Sequence, residues 1–380
     1  MSTQTSDLKD EEKVQYRLIT ETELVNPSSL SLSTIQNNAP TIYLNPSSHG
    51  WSRRPLGDTR LYSGLFGGLM RNKRWEYYGV MTPTHVIGLT ISSLDYAGVN
   101  QLFILDRESL NPLLSKEAIA PLARGVNLPD TYGPDNTESS FESNDLSIRI
   151  VESRTEEDRV TTITANAQAQ GKKVSIALTL SRPLTDDALH VVVPWNSTQF
   201  QYTIKEPAIP CFGKVTIDNV VHTISSNPST SFAVLDHGRG RWPYSMKWNW
   251  AAGSGISPTN GGKRIGLQLG GKWTEGTGST ENAIFIDGEL IKISEELSWE
   301  YDTTNWMKPW RIAGKDLDAT FTPFYERVAK TNLVILSGET HQLFGRWEGV
   351  FRLGLGGEEG GDVVSLDGLE GWAEEARNSW

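Results

Sequence analysis

The chain has 380 residues, of which 37% are hydrophobic and 21% charged, a balance typical of a folded globular protein. Its formal net charge of −11 argues against nucleic acid or an anionic membrane surface as a partner, because neither would attract it. The single cysteine, Cys211, excludes an intrachain disulfide. No apolar run reaches the roughly 18 residues of a membrane helix and no signal peptide is visible, so we expect a cytoplasmic protein without membrane insertion.

The predicted elements are short strands separated by turns, and they follow an N-terminal tail, residues 1–20, that we expect to be disordered. Apolar and polar residues alternate in residues 146–151, 159–165 and 173–180. A period of two indicates strands with one buried face, and regular turns between them are typical of an antiparallel sandwich or barrel. Only residues 115–124 show a helical pattern. The sequence therefore predicts an all-β fold.

Two prolines, Pro207 and Pro210, interrupt the strand pattern near the middle of the chain. Because proline cannot donate a hydrogen bond to a strand ladder, we place a domain boundary there. The prediction is of two antiparallel β modules packed side by side, one of residues 21–208 and one of residues 209–380. We expect the C-terminal module to carry most of the candidate site.

The stretch of residues 235–282 combines ionisable side chains with tryptophans. Cores seldom hold Asp, His, Arg and Lys, and surfaces do not need four Trp. The mixture therefore indicates the wall of an apolar cavity that carries a few polar groups. The candidate catalytic residues in this stretch are Asp236, His237 and Glu281.

These three candidates each have a structural alternative. Asp236 and His237 would point to opposite faces of a strand unless the glycines that follow introduce a turn. Glu281, if desolvated beside Trp273, would have a raised pKa and could deliver a proton. The alternatives are an Asp that caps the glycine-rich loop, a half-exposed His, and a surface ion pair between Lys272 and Glu281.

The predicted substrate-binding residues supply hydrogen-bond donors or aromatic faces. Arginines could hold a carboxylate or an enolate-like oxygen, and indole faces could stabilise a developing cation. The alternatives are ion pairs in an acidic protein, tryptophans that fill a core, and a core histidine. The residues are Arg239, Arg241, Trp242, Tyr244, Trp248, Trp250, Lys272, Trp273, Asn282, Trp310 and His341. No Cys and His spacing suits zinc and no phosphate loop occurs, so we predict neither a metal nor a cofactor.

Several motifs together resemble one known family. They include GWSRRPL at residues 50–56, KRWEYY at 73–78, LDHGRGRWPY at 235–244, GGKWTEGTG at 270–278 and GWAEE at 371–375. On these motifs the chain is identified as a member of the family named domain of unknown function 2804 (DUF2804), a name that implies no reaction. More distantly, its two-module pattern is similar to the double lipocalin-like folds of carotenoid hydratases and fungal cyclases. That resemblance implies two lipocalin-like antiparallel β-barrel or sandwich modules side by side.

Together these features predict a cofactor-independent enzyme that binds a hydrophobic or unsaturated small molecule. Its chemistry would be isomerisation, cyclisation or hydration by acid catalysis in a tryptophan-lined pocket. Two alternatives stay open. One is a carrier that binds a lipid without changing it, and the other is a carbohydrate-active enzyme, because tryptophans with two carboxylates also suit sugars.

Overall fold

The computed structural model describes residues 17–35, 42–61, 71–132, 137–225, 227, 230–332, 337–353 and 362–379. Within these ranges the regular structure is antiparallel strand, apart from three single-turn 3-10 helices at Pro27–Ser29, Pro46–Ser48 and Pro258–Asn260. The predicted all-β class, with two antiparallel barrel-like modules side by side, is confirmed. Most of the tail predicted to be disordered, residues 1–16, lies outside the described residues, and Arg17–Leu18 form a short strand.

Seventeen of the described strands precede residue 242. They are β1 (Arg17–Leu18), β2 (Ser33–Ile35), β3 (Ile42–Leu44), β4 (Gly50–Ser52), β5 (Asn72–Met81), β6 (His85–Ser93), β7 (Ala97–Asp106), β8 (Pro112–Pro121), β9 (Val126–Asn127), β10 (Glu138–Glu142), β11 (Leu146–Arg154), β12 (Asp158–Ala169), β13 (Lys172–Pro183), β14 (Leu189–Asn196), β15 (Gln199–Ile217), β16 (Val220–Ile224) and β17 (Phe232–Arg241). In the described part of the chain, fourteen of them form one curled sheet with the central order β8-β7-β6-β5-β17-β15-β13-β12-β11-β10-β9. We call this sheet the first module.

The strands after residue 244 form most of the second module. They are β18 (Ser245–Ser257), β19 (Lys263–Gly271), β20 (Ala283–Ile286), β21 (Glu289–Lys292), β22 (Glu295–Glu296), β23 (Ser298–Glu300), β24 (Trp310–Ala313), β25 (Leu317–Asn332), β26 (Ser337–Leu353), β27 (Asp362–Ser365) and β28 (Leu369–Ser379). Among the described residues, ten of them make a second sheet with the main order β21-β20-β19-β18-β28-β26-β25-β24-β23, and we call this sheet the second module. Strand β22 pairs instead with β1.

Each module has an apolar core of its own, and further apolar contacts join the two modules. Fully buried side chains such as Leu89 and Ile163 fill the first module, and others such as Leu267 and Trp347 fill the second. These are inward positions of strands that alternate apolar and polar residues, as expected of sheets with one face on a core. Where the modules meet, aromatic and aliphatic side chains of both sheets pack together, among them Tyr77, Val86, Phe103, Trp250, Phe344 and Trp372.

The helix predicted for residues 115–124 was wrong. Residues 112–121 form β8, which pairs antiparallel with β7, and Lys116 lies opposite Leu102. The Lys, Glu and Ala residues of this stretch favour a helix only weakly. The hydrogen bonds and side-chain packing supplied by the neighbouring strand outweigh that intrinsic preference.

The two prolines at the predicted boundary lie inside a continuous strand. Pro207 and Pro210 both belong to β15, and the ladder between β15 and β17 is shifted there by a β-bulge between residues 206 and 209. Strand β17, which ends at Arg241, pairs within the first sheet, and β18, which starts at Ser245, pairs within the second. The prolines thus mark a local bulge, as proline often does in a sheet.

Candidate functional site

A cavity of about 270 Å³ lies between the two modules. Its walls come from β5, β6, β7, β15 and β17 of the first module and from β18, β25, β26 and β28 of the second. The size is near the lower end of the range for small-molecule sites, which is roughly 300–1,000 Å³. Thr331, Gly338 and Asn378 line the cavity close to strand ends and are partly exposed, so the cavity opens on this side.

One wall depends on the glycines of β17, which is a continuous strand without the turn that the sequence left open. Asp236 faces the cavity and His237 points the other way, as strand alternation requires. Gly238 faces the cavity as well, and a Cβ there would overlap the ring of Trp75. The missing side chain therefore lets the indole lie against the strand, where its Nε1 donates to Asp236 Oδ2 at 3.0 Å.

A buried lysine that the sequence analysis missed holds two of the predicted carboxylates together. Lys205 Nζ lies 2.8 Å from Asp236 Oδ1 and 3.1 Å from Glu281 Oε2. Burial by itself lowers the pKa of Lys205, but the two carboxylates outweigh it and raise that pKa. Burial raises the pKa of Glu281 against the opposing charge of Lys205. The ammonium also lies 4.5 Å from the centre of the Trp250 ring, so the cation contacts an aromatic face. Trp273 Nε1 donates to Glu281 Oε1 at 2.7 Å.

A third carboxyl group, that of Glu374, also faces the cavity. No Lys, Arg or His nitrogen in the described ranges lies within 4.0 Å of its carboxyl oxygens. Burial raises its pKa to about 7, and the negative charge of Asp236 adds to the rise. A hydrogen bond from Trp248 Nε1 to Glu374 Oε1 at 3.0 Å opposes the shift, as do the charges of Lys205 and Arg327. Glu374 is therefore partly protonated near neutral pH.

Several residues of the cavity, most of them polar, belong to two facing rows, each in register across neighbouring strands. In the first module the row runs from β15 to β8 and contains Lys205, Asp236, Tyr77, Thr90, Gln101 and Glu117. In the second module the row runs from β18 to β25 and contains Trp250, Glu374, Gln342 and Arg327. Adjacent positions of such a row lie close enough for their side chains to interact, so each row acts as one continuous polar strip.

Six of the predicted residues line the cavity. Four of these are indoles, and Trp242 packs against Trp248 with centroids 6.0 Å apart and stacks on Trp273 at 5.6 Å. Trp242 Nε1 also donates to Gln201 Oε1 at 2.6 Å, so the ring is fixed in place. The six residues are Asp236, Trp242, Trp248, Trp250, Trp273 and Glu281.

Two other predicted residues of β17 lie inside the first module. Arg239 Nε donates to His237 Nε2 at 3.1 Å, and His237 Nδ1 lies 3.3 Å from Glu76 Oε1. Burial lowers the pKa of His237, and the charge of Arg239 lowers it further, so the imidazole is neutral and accepts this hydrogen bond. Arg239 also donates to the carbonyl oxygen of Pro129 at 3.2 Å. Arg241 is buried at the end of β17 and does not line the cavity.

The remaining predicted residues lie outside the cavity. Tyr244 is 66% exposed. Lys272 Nζ pairs with Glu375 Oε2 at 2.6 Å, on the face of β28 opposite Glu374. Asn282 accepts a hydrogen bond from the Gly270 backbone and so fixes the chain beside Glu281.

Two predicted aromatic residues belong to a separate stack in the second module. Trp310 is fully buried and stacks on Tyr301 with centroids 4.0 Å apart. His341 stacks on Trp306 at 4.2 Å, and its Nδ1 lies 2.7 Å from Glu326 Oε1. These contacts support the packing of β24 to β26 and do not reach the cavity.

The fold and the cavity define a two-module, all-β protein with a cavity between its modules. The chain belongs to the family described as domain of unknown function (DUF2804), whose model matches residues 43–380, and this confirms the resemblance seen in the motifs. No curated protein matches the chain.

The chain is also similar to solved structures at low sequence identity. One is a crystal structure of CghA with Sch210972, at 10% identity and a TM-score of 0.48, over 85% of this chain and 94% of that chain. Another is kievitone hydratase from Nectria haematococca, at 11% identity and a TM-score of 0.45, over 96% of this chain and 98% of that chain. In the described part of the chain, no helix is long and apolar enough to span a membrane.

Proposed function

We propose that this protein is an enzyme that transfers a proton to a hydrophobic or unsaturated small molecule bound between its modules. The single observation that carries the proposal is Glu374, a buried carboxyl group with a pKa of about 7 that faces a tryptophan-lined cavity. A general acid works best when its pKa is near the working pH, because enough of it is protonated and it still releases the proton readily.

A second carboxyl group is suited to take a proton back. Asp236 forms an ion pair with Lys205 and receives a hydrogen bond from Trp75, and contacts of this kind stabilise a charged carboxylate. Two carboxyl groups in environments that favour opposite protonation states form an acid and base pair. We assign Glu374 as the acid, Asp236 as the base, and Glu281 as the group that holds Lys205 in position.

The proposed reaction begins with protonation of a double bond. The Glu374 O–H bond breaks, and the electron pair of the double bond forms the new C–H bond. The carbon left electron-poor lies near the indole faces of Trp248 and Trp250, which stabilise positive charge. Loss of a neighbouring proton to Asp236 gives an isomer, attack by a second double bond gives a ring, and addition of water gives a hydrate. Each route releases one proton in the end, and Glu374 regains one from solvent.

The test is deuterium uptake from heavy water. Purified protein is incubated in D2O with a panel of conjugated, apolar compounds, and mass spectrometry measures the deuterium in each recovered molecule. Quenching of the cavity tryptophans reports binding separately. We expect Glu374→Gln to lower the rate of uptake at least about 100-fold, because general acids typically contribute that much, while binding changes little.

Glu375→Gln is the matched control, because the two glutamates are adjacent in β28 and face opposite sides. This variant should keep the wild-type rate. A compound that binds but gains no deuterium with wild-type protein would favour the carrier alternative. An unchanged rate in Glu374→Gln would remove Glu374 as the donor. Release of a free sugar from a glycoside panel would favour the carbohydrate alternative.

A further inference from the structure

Arg327 is a cation that lines the cavity. Its Nη1 donates to Gln342 Oε1 at 3.2 Å and its Nη2 donates to Gln101 Oε1 at 2.9 Å. Among the described residues, no carboxylate oxygen lies within 4.0 Å of its guanidinium. The side chain is partly buried and lines the cavity. A charge that is largely removed from water without an opposite charge in contact is unfavourable unless a ligand supplies one.

Two other buried cations near this interface are paired with acids. Lys205 contacts Asp236 and Glu281, and Arg182 Nε lies 3.0 Å from Glu206 Oε1. At these two positions a carboxylate is in direct contact with the cation, whereas the negative charges that act on Arg327, those of Glu374 and Glu117, are more distant. This contrast points to Arg327 as a group whose partner is the bound molecule.

The guanidinium is also held in a fixed orientation. Gln101 Nε2 donates to Glu117 Oε2 at 2.6 Å, and Gln342 Nε2 donates to Tyr77 Oη at 3.3 Å. Both amides therefore turn their carbonyl oxygens towards Arg327. The Phe103 ring packs against the guanidinium, with 4.8 Å between Cζ and the ring centre. Two of its five N–H groups are used by the amides, and a planar carboxylate could accept from the others.

We propose that Arg327 binds a carboxylate group of the ligand, so that the molecules accepted by this cavity are unsaturated, apolar carboxylic acids. The assignment of this ligand as the substrate rests on the proposed function above. A monoanion suits the site better than a phosphate dianion, because Arg327 adds a single positive charge to a cavity that already holds the carboxyl groups of Asp236, Glu281 and Glu374.

The register of the second module relates the two ends of such a ligand. Arg327 lies opposite Gln342, and Gln342 lies opposite Glu374. Two inter-strand steps separate Arg327 from Glu374, which is roughly 10 Å between their backbones. A carboxylate held by Arg327 thus leaves the chain of the ligand extending along the row towards the proton donor and Trp250.

The experiment compares acids with their methyl esters. Straight-chain conjugated dienoic acids of increasing length, including 2,4-decadienoic acid, are titrated into wild-type protein beside their esters, with tryptophan quenching as the readout. We expect the best acid to bind at least about ten-fold more tightly than its ester, because a hydrogen bond to a charged group contributes that much. Arg327→Met should reduce the affinity for the acid to that for the ester and leave the ester unchanged. Arg327→Lys should restore part of the preference.

Arg346→Met is the matched control, because this arginine is on β26 and its side chain is 67% exposed. It should bind both probes like wild type. The proposal would be overturned if wild type bound the acids no better than their esters at every chain length, or bound neither. It would also be overturned if Arg327→Met kept the preference for the acid. If Arg327→Met does not fold, the wild-type comparison and Arg327→Lys still decide the matter. A preference for the acid without deuterium uptake would support the carboxylate subsite and refute the proposed catalysis. Deuterium uptake without a preference for the acid would support the catalysis and refute the subsite.

Discussion

Replacing Lys205 with Met should lower the stability of the protein strongly, and more at high pH than at low pH. The Lys205 side chain is 5% exposed and is the cation that Asp236 and Glu281 share at 2.8 and 3.1 Å. Methionine keeps a side chain of similar length but leaves both carboxylates without their cation. Breaking a buried ion pair by removal of one partner typically reduces the free energy of unfolding by about 3–5 kcal/mol.

The pH dependence follows from how Glu281 responds. Burial raises the pKa of Glu281 and the charge of Lys205 opposes that rise. Without the lysine, the folded protein can accept a proton on Glu281, whose pKa then lies further above its value in the unfolded chain. The folded state binds a proton that the unfolded state has released, so the free energy of unfolding decreases as pH rises through this interval. The free energy of unfolding that Lys205→Met loses should therefore be smaller at pH 5 than at pH 8.

Urea unfolding at these two pH values measures both effects. Lys205→Met combined with Glu281→Gln should recover much of the loss, because one carboxylate then remains and Trp75 still donates to it. Lys330→Met is the control, because Lys330 forms an ion pair with Glu339 on the surface and its side chain is 63% exposed. A loss below about 1 kcal/mol, or equal losses at both pH values, would refute this account of the lysine.

Two further predictions concern Glu374 and Gly238. The pKa of Glu374 is about 7 in the folded protein, so wild type loses stability between pH 5 and pH 8 as this buried group ionises. Glu374→Gln should remove this loss, so that between pH 5 and pH 8 its free energy of unfolding in urea rises by up to about 3 kcal/mol relative to that of wild type. Identical pH profiles for the two proteins would argue against the raised pKa. Gly238→Ala should displace the Trp75 ring, break its hydrogen bond to Asp236 and reduce the free energy of unfolding by about 1–3 kcal/mol. Unchanged stability and tryptophan fluorescence in this variant would contradict that view.

Much of the fold and part of the site could be predicted from the sequence. The period of two in the strands and the spacing of the turns predict the all-β class. The stretch of residues 235–282 contains six of the residues that line the cavity. It could be recognised in the sequence because tryptophans beside acids are unusual elsewhere in a protein. Glu374 had a usable signal, since it is two positions after the buried Trp372 and thus on the same side of a strand.

The rest of the site could not be predicted for a physical reason. Lys205 and Thr203 alternate with the buried Tyr202 and Ile204 in β15, which is the usual pattern of a strand with one face in water. The polar face of this strand meets the second module instead. Which polar faces become buried depends on how the two modules pack, and no local pattern describes that. Arg327 was missed for the same reason.

The proposed ligand site lies between the modules, so the residues that would bind the ligand belong to the same surfaces that hold the two modules together. Each wall of the cavity belongs to a different module. Either module made alone would therefore expose its indoles and carboxyl groups to solvent and would have no cavity. A substitution that alters what the protein accepts must at the same time keep two β-structures joined. Substitutions that change specificity are therefore limited by the need to keep the contact between the modules. Paired substitutions, one in each module, could change the cavity and still preserve that contact.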